Sequence, residues 1–229
     1  MKSIKIIGFD ADDTLWVNGQ YFKFAEKAFT SLLINYMSRE ELVKELYRTE
    51  LKNLKLYGYG AMAFTLSLIE TAIRISKGKV SSEIIKEIMD AGTGILRQPV
   101  VLLPGVSEVL PELFNNYKLI VVTKGDLLDQ ERKLENSGLL RYFHHIEVVS
   151  EKHESNYSRL IELLGVYPDE FLMVGNSLKS DIIPVLSIGG NAVHIPQEEV
   201  WIHENSIKPE LRFFELTSFF ELPELLSGD

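Results

Sequence analysis

Cysteine is absent from the 229-residue chain, which removes disulfides, thiolate nucleophiles and cysteine-ligated metals without identifying a compartment. Positive charge is in deficit: 24 Lys and Arg against 33 Asp and Glu leave a formal net charge of -9. Such a balance repels phosphate backbones and anionic lipid at long range, so neither nucleic acid nor a membrane surface is an expected partner. Long hydrophobic runs are also missing. The apolar stretch within Met1 to Phe9 is short and interrupted by Ser3 and Lys5, too little for a signal region or a membrane span, and reads as a buried strand. There is no internal repeat, low-complexity segment or linker. These absences describe a soluble, cytoplasmic protein, and the 45% apolar content can fill one sizeable core with a modest insertion.

Hydrophobic periodicity divides the chain. Ile4 to Phe9 is a β-branched run ending at a cluster of acids, as a central parallel strand does. A helical pattern then takes over. Tyr21, Phe24, Ala25, Ala28, Phe29, Leu32, Leu33 and Tyr36 recur at three- and four-residue steps. Ser38 and Glu41 predict a capping box, Gly58-Tyr59-Gly60 a break, Ala61 to Ser76 a third helix, and Ser81 or Ser82 the cap of a fourth. Beyond Pro99, strand-like runs at Leu119 to Val122, Ile146 to Val149, Phe171 to Val174 and Asn191 to Ile195 alternate with helical segments that end at Gly138, Gly165 and Gly189. The stretch from about Leu211 to Asp229 predicts a terminal strand and helix. The expected fold is α/β: a Rossmann-like parallel sheet formed by residues 1–16 and 98–229, with a small helical insertion over residues 17–97.

Polar residues fall where the strands end. Asp10, Asp12 and Thr14 follow the first strand, Thr123 and Lys124 end the second, Lys152 follows the third, and Gly175-Asn176-Ser177 with Asp181 follow the fourth. In a parallel sheet these ends open onto one rim, where ligands bind. Asp10 and Asp12, two positions apart, can point the same way. Paired carboxylates call for a cation, and a hard, oxygen-seeking ion such as Mg2+ is the usual partner. Asp13 alone reads as a turn or cap residue, and the adjacent His144 and His145 as surface or packing residues.

With these residues in place, Gly8-Phe9-Asp10-Ala11-Asp12-Asp13-Thr14-Leu15 resembles the Asp-x-Asp-x-Thr motif of the haloacid dehalogenase superfamily. Val121-Val122-Thr123-Lys124-Gly125 matches that family's second motif. Ser150-Glu151-Lys152 matches its lysine motif, and Val174 to Asp181 matches its acidic fourth motif, with Asn176 where many relatives have aspartate. The helical insertion resembles the family's cap domain.

The resemblance implies a phosphatase with Asp10 as nucleophile and Asp12 as proton carrier. Thr123, Lys124, Gly125 and Lys152 would hold phosphate, and Asp10, Asp12, Asn176 and Asp181 would serve as Mg2+ ligands. Asp12 argues for phosphate chemistry over dehalogenation, because a halide leaving group needs no proton. The implied substrate is a small phosphorylated metabolite. Two alternatives stay open: a phosphomutase, and a regulatory or binding protein that keeps the fold with little turnover. Neither the substrate nor the oligomeric state is legible.

Overall fold

Short strands, apolar at the centre, build a six-stranded sheet in a computed structural model that describes residues 3–197 and 211–228. β1 (Ile6–Phe9) lies between β2 (Lys118–Lys124) and β4 (Phe171–Gly175). β3 (His145–Val149) pairs outside β2, and β5 (Asn191–His194) and β6 (Phe214–Glu215) extend the other side. Every pairing is parallel, which is the α/β architecture the alternation implies. Successive side chains alternate faces. Ile7, Phe9, Leu119, Val121, Leu172 and Val174 enter one apolar cluster, while Ile6, Ile120, Val122, Phe171 and Met173 enter the other. Burial on both faces explains why these strands show no polar alternation in sequence.

By its internal contacts the chain divides into two compact units, Met1–Gly19 with Val100–Lys124 and Gln130–Asp229, and Gln20–Pro99 with Gly125–Asp129. The second unit is helical. It carries α1 (Gly19–Leu32), α2 (Arg39–Tyr57), α3 (Ala61–Ile75) and α4 (Ser82–Gly94), packed around Phe29, Leu42, Leu46, Phe64, Leu68 and Ile88. The Ser38–Glu41 capping box forms at the start of α2, and Ser81 caps α4. Gly58 (φ 69) and Gly60 (φ 118) separate α2 from α3 in backbone conformations closed to most side chains. Between α2 and α3 the buried seam is polar: Thr71 Oγ1 donates to Thr49 Oγ1 at 2.8 Å and Asn53 Nδ2 to Ser67 Oγ at 3.1 Å.

Around the sheet run α5 (Val106–Phe114), α6 (Leu127–Asn136), α7 (Glu154–Leu164), α8 (Ile183–Ser187) and α9 (Leu222–Ser227). The periodicity above assigns no helix to the α5 segment, where Pro111 falls inside the helix and removes an intrahelical hydrogen bond. Burial of Val106, Val109, Leu110 and Leu113, spaced i, i+3, i+4 and i+7, outweighs that loss. Gly138 (φ 72), Gly165 (φ 69) and Gly189 (φ 85) follow α6, α7 and α8 as expected, and the terminal strand and helix are β6 and α9. Among the described residues, no helix is long and apolar enough to cross a membrane.

Candidate active site

The chain leaves β1 by continuing its pairing for one more residue, the Asp10 N–H donating to the Val174 carbonyl at 2.9 Å. It then turns sharply. Leu15 N–H bonds back to Ala11 O at 2.8 Å and Asp13 N–H to Trp16 O at 2.8 Å, with Asp13 at φ 60. The turn returns Thr14 to the strand end, where its hydroxyl donates to Asp10 Oδ2 at 3.1 Å and reaches Asn176 Oδ1 at 3.4 Å. Asp13 is the cap residue its sequence suggests, accepting from the N–H groups of Asn18 and Gly19 at 2.8 and 2.9 Å. Burial pushes its carboxyl above the usual range, against the opposing hydrogen bonds.

Two carboxylates and one ammonium form the centre of the rim. Lys152 Nζ, 1% exposed in its side chain, bonds to Asp10 Oδ1 and, at 2.6 Å, to Asp181 Oδ1. Asp181 sits on a single π-helical turn, Leu178–Ile182, that follows β4, and its Oδ2 accepts the Ser177 N–H at 3.0 Å. Such turns inside helical segments recur at functional sites. Burial pushes the Asp10 carboxyl up to about 7, opposed by Lys152 and reinforced by the Asp181 charge. For Lys152 burial acts downward, yet the two adjacent carboxylates outweigh it and hold its pKa above the ordinary lysine value.

Asp12 is held apart from this trio. Trp16 Nε1 donates to its Oδ1 at 2.7 Å, Gln130 Nε2 to Oδ2 at 2.8 Å, and Lys133 Nζ to both oxygens at 2.9 and 3.1 Å. Thr123, next to last in β2, is fully buried, its hydroxyl donating to the Lys124 carbonyl at 3.3 Å. The Lys124 side chain turns to Ser180 Oγ at 2.9 Å. Gly125 (φ 131) begins the segment grouped with the helical unit.

Of the four expected metal ligands, Asp10, Asn176 and Asp181 gather at the rim, while the Asp12 carboxylate is committed to Trp16, Gln130 and Lys133. Among the described residues, no three Asp, Glu, His or Cys side chains assemble as a metal cluster; the rim offers two carboxylates and an amide oxygen. Its donors are hard oxygens, and two buried carboxylates face a single ammonium. Excess negative charge on oxygen donors fits Mg2+. Gln130 and Lys133 escape a reading of the sequence, where polar residues in a helical segment look like a solvated face. Their separation of three residues is the available signal.

Comparison with known proteins places this geometry in context. The sequence profile of the haloacid dehalogenase-like hydrolases matches residues 4–189. The N-acylneuraminate-9-phosphatase of Homo sapiens is 27% identical over 243 residues, covering 100% of this chain and 96% of that protein. The glyceraldehyde 3-phosphate phosphatase of Methanothermobacter thermautotrophicus is 25% identical over 207 residues, covering 85% and 87%. Among solved structures, a haloacid dehalogenase-like family hydrolase from Xanthomonas campestris superposes with a TM-score of 0.89 at 37% identity, covering 99% of this chain and 91% of the other.

Proposed function

Because the chain belongs to the haloacid dehalogenase-like hydrolase family, we propose that it is a Mg2+-dependent phosphatase that dephosphorylates a small metabolite in the cytoplasm through an aspartyl phosphate on Asp10. What carries this reading is the buried Asp10–Lys152–Asp181 group at the carboxyl ends of parallel strands. Phosphatase names on relatives that align with 100% and 85% of the chain support the reaction class.

In this reaction an Asp10 oxygen attacks phosphorus, forming an O–P bond while the bond to the leaving oxygen breaks. Asp12 gives that oxygen a proton. Water then attacks the phosphorus, Asp12 takes a proton from the water, and the bond to Asp10 breaks, releasing inorganic phosphate and restoring the carboxylate. Thr14 and Lys152 orient the nucleophile. The Thr123 hydroxyl and the N–H groups of Lys124 and Gly125 hold phosphoryl oxygens, and Lys152 offsets their charge. Mg2+, when bound by Asp10, Asn176 and Asp181, supplies further charge compensation. The helical unit serves as a cap that excludes bulk water.

The test is phosphate release from a panel of phosphorylated metabolites, with and without Mg2+, led by N-acylneuraminate 9-phosphate and glyceraldehyde 3-phosphate. Turnover that needs the ion and disappears in Asp10→Asn is expected. Metal-independent turnover, or none across the panel, overturns the proposal.

A further inference from the structure

Asp12 is gripped by one face of α6. Gln130 Nε2 donates to Asp12 Oδ2 at 2.8 Å and to the Lys124 carbonyl at 3.3 Å. One turn along, Lys133 Nζ bonds to both Asp12 oxygens and to Asn18 Oδ1 at 3.0 Å. Gln130 is 4% exposed, and its Oε1 is buried with no hydrogen-bond partner among the described residues. Buried polar atoms almost always find partners, so an orphan needs a cause. Here the cause lies at the other end of the amide. Turned over, Gln130 would set its oxygen against a carboxylate oxygen and a carbonyl, so the donor end stays toward Asp12 even though the acceptor is left bare.

We propose that Gln130 and Lys133 are positioning residues that fix the Asp12 carboxylate for proton transfer, an inference that rests on the acid–base role of Asp12 given above. A proton carrier works only within hydrogen-bond reach of the oxygen it serves, and an aspartate released from its donors swings about two side-chain torsions. Misplacement on the scale of about 1 Å is costly even when caused away from the reacting atoms.

The experiment compares kcat and KM on an alkyl phosphate, whose leaving oxygen needs a proton, and on p-nitrophenyl phosphate, whose leaving group needs little help. The variants are Asp12→Asn, Gln130→Met, which keeps length and volume without the donor, Lys133→Met, and the double variants with Asp12→Asn. Gln130→Met and Lys133→Met are expected to lower kcat on the alkyl phosphate by roughly tenfold, part of the ~10²–10⁴ available to acid–base catalysis. KM should barely change, and the loss on the aryl phosphate should be smaller. In the Asp12→Asn background neither substitution should cost anything further, because each acts through Asp12.

Equal losses on both substrates, or losses that persist undiminished in the Asp12→Asn background, would show the two residues to be purely structural and overturn the proposal. If Gln130→Met does not fold, the Lys133→Met cycle decides between the same two outcomes. An Asp12→Asn enzyme without leaving-group dependence overturns the acid–base reading itself, and the proposal with it.

Discussion

A methyl group added at Gly175 would stand 2.2 Å from Asp181 Oδ2 and 2.4 Å from its carboxyl carbon, well inside van der Waals contact. Gly175→Ala therefore has to drive Asp181 away from Lys152. The expected result is at least a roughly tenfold weaker Mg2+ affinity and a comparable loss of kcat/KM, read by metal titration of the folded variant; unchanged affinity would show that Asp181 is not beside the ion. At this scale the sequence is informative where chemistry and strand ends coincide. Asp10 follows the buried strand β1, Asn176 and Asp181 the buried β4, and Lys152 the half-buried β3, so a parallel sheet brings them together. The partners of Asp12 are not legible, since Gln130 and Lys133 come from a helix more than a hundred residues away whose polar pattern matches a solvated face. Only tertiary packing turns them inward.

Among the elements, α3 and α4 pack closely because Gly92 lies against Thr65. A Cβ at position 92 would meet Thr65 Oγ1 at 2.3 Å and its Cβ and Cγ2 at 2.9 Å, and the threonine is anchored by its bond to the Ala61 carbonyl. Alanine is ordinarily the better helix former by about 1 kcal/mol, but overpacking typically costs ~1–3 kcal/mol, so Gly92→Ala is expected to destabilise the helical unit. Urea unfolding should show the loss, and Thr65→Ala should relieve it by vacating the space. A stabilised Gly92→Ala would contradict this packing. Elements with strong local signals are readable from sequence: β1 and β2 as buried runs rich in β-branched residues, β4 as a continuous apolar run, α2 from its capping box. α5 is not, because proline is a local signal against helix while its four buried apolar contacts are tertiary. The π-helical turn that carries Asp181 has no sequence pattern of its own.

For the whole molecule, buried charge couples stability to pH. The carboxyl of Asp10 moves from 3.8 when unfolded to about 7 when folded, so folding favours its protonated form. Its contribution is fully present below the unfolded value and is lost as pH rises through that window. In chelator, Tm is expected to fall across the window, and Asp10→Asn, which has no proton to lose there, should flatten the fall. Mg2+ competes with protons for the same oxygens, so it should raise Tm more above the window than below it. Calorimetry with and without the ion measures both effects, and an equal shift at every pH would contradict the assignment of Asp10 as a ligand. The grouping of Gly125–Asp129 with the helical unit cannot be read from sequence, because contacts define it and composition does not. The central claim, a phosphoryl group carried by Asp10, is tested most directly by quenching the enzyme in acid during turnover and locating the added phosphoryl by peptide mass analysis. The account predicts the modification on Asp10 of the native enzyme, with Asp10→Asn neither labelled nor active; a phosphoryl group on another residue, or normal turnover in Asp10→Asn, would contradict it.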